Sequence, residues 1–378
     1  TKHKINTLIP FTLSNFSAPP PTDSSISFCF AFSVFFFIMD SSLSHQGSLS
    51  FLPSRRDSAR RISGGVCALL PWRRKVRYDS MVVVAAAGAG ASIDAPLVPR
   101  SAQGKFLSCV LMKKRPLFHF AVADLLKQLA EDKEAALSRM FLSSGSDEAS
   151  LHRRIAQLKE SNCQTAIEDI MYMLILYKFS EIRVPLVPKL STCIYNGKLE
   201  VWPSKDWELE SIHSRDVLEL IKEHSNAVIS LRVDSTLTDD LETTEIDKHH
   251  LSRVYTASIL YGYFLKSASL RHQLECSLSE GITKQLRHYI SGFDPKILQR
   301  CAKPRSREAK NLIEKQSLAL FGPEGKEEES VIVTSFSSLK RLLLEAVAFG
   351  SFLWDTEEYV DGAFKLKENE NAEENSSV

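Results

Sequence analysis

Apolar residues beyond residue 104 recur with the period of an α-helix instead of alternating as they would in a half-buried strand. Each such stripe gives one helix face that can be buried. The most regular stripes are Val122/Leu125/Leu126/Leu129, Ile167/Ile170/Met171/Leu174 and Leu339/Leu342/Leu343/Ala346/Val347. The pattern therefore predicts a mainly α-helical body over residues 104–364.

Proline, glycine and capping residues mark where several of these helices begin and end. Pro116 is well placed to open the helix that carries the first stripe. Asp294-Pro295 is typical of an N-cap followed by the first helical residue, and Lys303-Pro304 predicts a break. A further helix is expected from about Ser306 to a stop at Gly322-Pro323.

One segment departs from the helical pattern, STCIYNGKLEVW at residues 191–202. Asn196-Gly197 lies between two short β-favouring runs, and this dipeptide favours a two-residue hairpin turn because both positions need positive φ. The turn pairs Tyr195 with Lys198 and Ile194 with Leu199, and it puts Ile194, Leu199 and Val201 on one face. We expect a small hairpin packed on helices.

A faint internal repeat has a constant offset of 153 residues. Residues 107–122 resemble residues 260–275, and each copy is followed by a long apolar helix, at 166–179 and 336–354. The repeat predicts two diverged helical units, 104–235 with the hairpin and 245–364. Helical periodicity alone also creates such matches and is the alternative.

The N-terminal segment is typical of an organellar import signal. The apolar run 28–39 is too short to cross a bilayer, and the polar, basic sequence after it is the wrong order for secretion. Residues 39–84 hold nine Ser and eight Lys/Arg but only three Asp. We expect a chloroplast transit peptide at 39–85, with a mitochondrial one as the alternative.

The segments around this signal are expected to lie outside the folded body. Met39 is the first methionine, so residues 1–38 are interpreted as untranslated leader or, alternatively, a disordered extension. Residues 86–103 are interpreted as a linker and 365–378 as a disordered acidic tail. The whole chain has a formal charge of +1, but 37 basic and 42 acidic residues remain without residues 1–84.

Cysteine and histidine spacing excludes the common metal and disulfide frameworks. Five cysteines follow residue 84, without a CxxC pair, and are expected to be reduced thiols. His249 and His250 have no HExxH context. Cys301 lies between Arg300 and Lys303, which could make it a reactive thiolate, although an inert helix cysteine is the favoured interpretation. No metal, cofactor or catalytic residue is assigned.

The basic segment 296–315 carries seven basic and two acidic residues. Its Arg300, Lys303, Arg305 and Arg307 are the candidate interaction surface. Nucleic acid and the thylakoid surface are alternative targets, and a merely solvated helix face is the simplest interpretation. The segment GPEGKEE at 322–328 lacks the spacing and hydroxyl of a phosphate loop.

Three segments resemble the plant chloroplast UV-B-induced proteins of domain-of-unknown-function family 760. They are EIRVPLVPKLSTCIYNGKLEVWP, VYTASILYGYFLKSASLRHQLE and LKRLLLEAVAFGSFLWDTEEYVDGAF. The resemblance covers roughly residues 104–364. It implies a chloroplast location and a link to light stress, but it carries over no catalytic or ligand-binding residues.

Two classes of function remain open. The absence of a local catalytic motif favours a non-catalytic interaction or regulatory module whose partners are other stromal proteins, without a transmembrane segment. The alternative is an enzyme whose site is assembled only in the fold.

Overall fold

The computed structural model describes residues 95–143, 148–230, 243–278, 285–323 and 331–368. The predicted leader 1–38, the predicted transit peptide 39–85, half of the predicted linker and most of the predicted tail lie outside these residues. Within them the chain is mainly α-helical with one small sheet, which confirms the predicted fold class.

Six of the helices in the described residues precede residue 231. They are α1 (Ala102–Lys113), α2 (Phe118–Leu142), α3 (Ala149–Glu181), α4 (Leu190–Cys193), α5 (Asp206–Glu210) and α6 (Arg215–Ser230). The helices that follow are α7 (Lys248–Leu278), α8 (Leu286–Ser291), α9 (Pro295–Ala302), α10 (Arg307–Phe321) and α11 (Phe336–Ala363).

The predicted helix ends are found in the structure. Asp294 caps α9, its Oδ1 accepting a hydrogen bond of 2.7 Å from the Ile297 amide. Ser306 caps α10, and that helix ends before Gly322, whose φ is +82°. Pro116 lies in a single 3₁₀ turn that leads into α2.

The sheet is larger than the predicted hairpin. Its strands are β1 (Ile194–Tyr195), β2 (Lys198–Leu199), β3 (Thr243–Asp247) and β4 (Val331–Ser335), in the order β1-β2-β4-β3. The hairpin register is confirmed, with Ile194 opposite Leu199 and Tyr195 opposite Lys198. Strand β4 pairs parallel with β2 and antiparallel with β3, so the hairpin extends a sheet built by the second half of the chain.

Two helix pairs form the body of the fold. Helices α2 and α3 run antiparallel, with the ring of Phe118 stacked 4.9 Å from that of Tyr177. Helices α7 and α11 approach so closely that their backbones touch, at Gly262 beside Val347 and at Gly350 beside Ile259. Glycine is required at both positions because any Cβ would collide with the facing helix.

The predicted apolar stripes are core. Ile167, Ile170, Leu339 and Val347 are fully buried. Buried residues from both halves of the chain form one contiguous cluster. The division into units 104–235 and 245–364 stays a prediction.

Candidate functional site

A groove of about 910 Å³ opens between the start of α1, the hairpin and the C-terminal half of α10. This volume lies within the range of small-molecule sites, roughly 300–1,000 Å³. Among the residues that the structure describes, its lining has five cationic side chains and no acidic one: Arg100, Lys105, Lys189, Lys248 and Lys315. We call this surface the cationic groove.

Most of this positive charge has no counter-charge in the described part of the chain. Lys315 forms an ion pair with the buried Glu168 of α3. The side chains of Arg100, Lys105, Lys189 and Lys248 have no ion pair with any described carboxylate, and the first three are exposed. Several like charges in one concave surface raise its local potential and attract anions.

The start of α1 is fixed in place by Asp169. One oxygen of this buried carboxylate accepts hydrogen bonds from the amides of Arg100 (2.8 Å) and Ser101 (2.6 Å) and from the Ser101 hydroxyl (2.6 Å). Ser101 in turn caps α1 by accepting from the Gly104 amide. Asp169 therefore sets the backbone that carries Arg100 and Lys105.

The segment that carries Lys189 is held by a buried ion pair on α11. Arg341 Nη1 lies 2.9 Å from Glu345 Oε2, and both side chains are almost wholly buried. Arg341 also donates to the Pro185 carbonyl at 2.8 Å, and Glu345 accepts from the Val187 amide at 2.9 Å. These bonds fix residues 185–187, which lead directly into Lys189.

Burial dominates the electrostatics of this internal pair. It raises the pKa of the Glu345 carboxyl, although the Arg341 charge and the Val187 amide act in the opposite direction. Burial also raises the pKa of Tyr255, whose hydroxyl accepts a hydrogen bond from Gln316 at 3.3 Å. None of these groups lines the cationic groove. Their hydrogen bonds and ion pair stabilise the fold.

The rest of the groove lining is largely apolar. Leu97, Val98, Ile194, Leu318 and Val331 contribute to it. Val98 is 69% exposed, Leu318 54% and Val331 55%. The cationic groove is therefore amphipathic.

The four residues of the predicted interaction surface lie outside the cationic groove and have different surroundings. Arg305 is engaged by the fold, since its Nη2 lies 2.7 Å from Glu358 and its guanidinium lies over the Trp354 ring. Burial lowers the pKa of the half-buried Lys303. Arg300 and Arg307 are exposed on α9 and α10. None of these four residues lines the cationic groove, and their part in binding stays a prediction.

Other sequence candidates lie away from the groove. Cys301 is 5% exposed and packs in the core, and His249 and His250 are exposed at the start of α7. The described residues contain no group of three His, Cys, Asp or Glu that could hold a metal ion. None of their helices combines the length and apolar character of a membrane span.

Sequence reasoning missed the cationic groove because its five cations come from four separate segments, the start of α1 and the segments around Lys189, Lys248 and Lys315. Of these five cations, only Lys315 belongs to the basic segment 296–315. The others are isolated in their local context, and no motif links Lys105 to Lys248. Only the fold brings them to one surface.

Comparison with known proteins identifies the family. Residues 150–278 and 285–361 match the family described as protein of unknown function DUF760. The chain is 34% identical over 347 residues to a chloroplastic UV-B-induced protein of Arabidopsis thaliana, covering 76% of this chain and 82% of that protein. This similarity supports a chloroplast location. No solved structure matches the chain. The protein therefore belongs to the DUF760 family.

Proposed function

We propose that this protein is a non-catalytic regulatory or interaction module of the chloroplast stroma that binds an anionic ligand in the cationic groove. The observation that carries the proposal is the lining of that groove, whose described part has five cations and no acidic side chain. Bringing like charges together costs free energy unless an anion compensates them. A bound anion would supply that compensation.

The non-catalytic part of the proposal rests on what the buried titratable groups do. Glu357 accepts from the Ser306 amide at 2.6 Å and from the hydroxyls of Ser306 and Tyr263 at 2.5 Å. Asp169 and Glu345 are likewise bonded to backbone amides of distant segments. Acids used in this way stabilise the fold, whereas a general acid or base has to reach a substrate.

The biological setting comes from the relative. The Arabidopsis protein is named as UV-B-induced and chloroplastic. We extend that setting to this chain as a role under light or UV-B stress. The stromal compartment is tested by fusing residues 39–100 to a fluorescent reporter, for which fluorescence in the cytosol or in mitochondria would contradict the proposal.

The proposal is tested by affinity capture from chloroplast stroma, with mass spectrometry of retained proteins and small molecules. The test variant is Lys105→Glu/Lys189→Glu, since both side chains are exposed and the described part of the chain gives neither a carboxylate partner. The matched control is Arg300→Glu/Arg307→Glu on the predicted interaction surface. We expect the groove variant to lose an anionic species that the control retains.

Two results would contradict the proposal. Loss of capture only in the control variant would move the interaction to the Arg300 surface. Turnover of a retained metabolite by the purified protein would instead support the alternative of an enzyme.

A further inference from the structure

We infer that the ligand of the cationic groove is an amphiphilic organic anion, with an apolar body and one or more negatively charged groups. This inference rests on the proposed function and names its ligand class. It concerns the apolar half of the lining, which an inorganic anion or a fully polar ligand would leave uncovered.

Three apolar side chains of the groove are largely exposed to solvent. Val98, Leu318 and Val331 each expose more than half of their area. Contiguous exposed apolar surface rimmed by charge marks a ligand-binding or interaction site. Covering such surface stabilises a complex roughly in proportion to the apolar area removed from water. The groove can therefore bind an apolar body as well as a charge.

Cations and apolar residues alternate along the segments that form the walls. On α10, Lys315 and Leu318 are three residues apart and lie on one helix face. On the segment before α1, Val98 precedes Arg100 by two residues. Lys189 is followed directly by Leu190, which also lines the groove. A ligand lying along either wall would meet both kinds of contact.

The sheet end of the groove repeats this arrangement. Val331 of β4 pairs with Asp247 of β3, and Lys248 follows Asp247 directly. Lys248, the first residue of α7, therefore follows the strand partner of Val331, and both Val331 and Lys248 line the groove.

The lining does not suit a nucleic acid. Proteins that bind single strands without sequence preference stack bases on exposed aromatic side chains. Phe321 supplies the aromatic part of the groove lining, and it is only 5% exposed. Cations beside aliphatic side chains suit an aliphatic or alicyclic anion better than stacked bases.

The inference is tested by calorimetric titration of the full chain with matched probes below their micelle concentrations. The amphiphiles are dodecanoate and dodecyl phosphate, which separate a carboxylate head from a phosphate head. Acetate and inorganic phosphate lack the apolar body, and dodecanol lacks the charge. We expect at least one amphiphile to bind at least about tenfold more tightly than either fragment, since about 1.4 kcal/mol is tenfold.

Two variants assign the two halves of the site. Lys189→Gln removes one exposed cation, and Leu318→Asn removes one exposed apolar side chain on α10. Each should weaken binding of the amphiphile about tenfold, Lys189→Gln by removing an attraction to the charged head and Leu318→Asn by removing apolar contact with the body. Only Lys189→Gln should also weaken the short anions. Arg300→Gln, outside the groove, should leave all probes unchanged.

The outcomes separate this inference from the proposed function. Inorganic phosphate that binds as tightly as dodecyl phosphate, with Leu318→Asn without effect, would overturn the amphiphile while leaving anion binding intact. Dodecanol that binds as tightly as dodecanoate would overturn both. Displacement of dodecanoate by a short oligonucleotide at equal concentration would also overturn the amphiphile. Failure of every probe to bind would overturn the ligand class, and stromal capture would then decide the function.

Discussion

Replacing Gly350 by alanine should destabilise the protein because α7 and α11 touch there through their backbones. A Cβ built on Gly350 would lie 2.7 Å from the Tyr263 backbone nitrogen and closer still to the Ile259 carbonyl oxygen. Real Cβ atoms essentially never approach within 3.0 Å of another heavy atom. The obstructing atoms are backbone, so no side-chain rotation can relieve the clash.

The expected loss follows from two opposing terms. Alanine is the better helix former by about 1 kcal/mol, and over-packing a core costs about 1–3 kcal/mol or more. Here α7 and α11 must separate, and a gap of 0.5–1 Å already loses roughly a quarter to a half of the dispersion energy of each contact. Because this gap extends along a buried interface, the second term wins. Taking the upper end of the over-packing cost, we expect a net loss of about 2 kcal/mol of unfolding free energy.

The assay is urea or thermal unfolding of three variants in parallel. Gly350→Ala should lower the melting temperature by roughly 4–8 °C, using about 2–4 °C per kcal/mol for a domain of this size. Gly262→Ala should behave alike, since its Cβ would meet the Val347 backbone. Gly362→Ala is the matched control on α11, because nothing lies within 4 Å of its Cβ. Wild-type or higher stability of Gly350→Ala would refute the backbone contact.

Three further perturbations test other parts of the fold. Leu343 is 1% exposed, so Leu343→Asp should cost at least about 3 kcal/mol by burying an unpaired charge, and an unchanged melting temperature would show that the stripe is not core. Gly197 has a φ of +76° and open space around its Cβ, so Gly197→Val should cost about 1–2 kcal/mol through backbone strain alone, whereas Gly197→Asn should cost less. Burial lowers the pKa of His224 to about 4, below the roughly 6.5 of the unfolded chain, so acid protonates the unfolded state first. The unfolding free energy should therefore fall as pH drops from about 6.5 to about 4, by on the order of 3 kcal/mol for this residue. The variant His224→Phe keeps an aromatic ring against Tyr261, and its unfolding free energy should depend less on pH. Equal pH slopes in the two proteins would contradict the burial of a neutral imidazole.

Local signals predicted local structure well in this chain. The Asn196-Gly197 turn set the hairpin register because this dipeptide favours the type I′ two-residue loop, which needs positive φ at both residues, and both have it. The Asp294-Pro295 cap was found because it depends on neighbouring residues alone. Helix stripes such as the one around Leu343 were found because burial follows the helical period.

Long-range pairing was not predicted. Strand β4 begins with Val331, Ile332, Val333 and Thr334, a β-branched run that favours a strand and could have been recognised. Its parallel pairing with β2 joins Lys198 to Val333, and no local signal specifies a partner so far away in the sequence. The groove was missed for the same reason, since its walls are brought together by contacts between residues far apart in the sequence.

Adjacent carboxylates on α3 hold two walls of the cationic groove. Glu168 binds Lys315 and accepts from Asn311 at 2.8 Å, which fixes α10, while Asp169 fixes the start of α1. Successive helix residues point about 100° apart, so this pair can reach two different elements. Glu345 acts in the same way on the segment before Lys189. These acids are buried and do not line the groove. Hydrogen-bond donors of the fold offset the free-energy cost of burying each carboxylate. Most of the positive charge of the groove therefore stays at the surface. The buried acids therefore identify the contacts that hold the walls of the groove in place. The exposed cations, which those acids position, identify the groove itself.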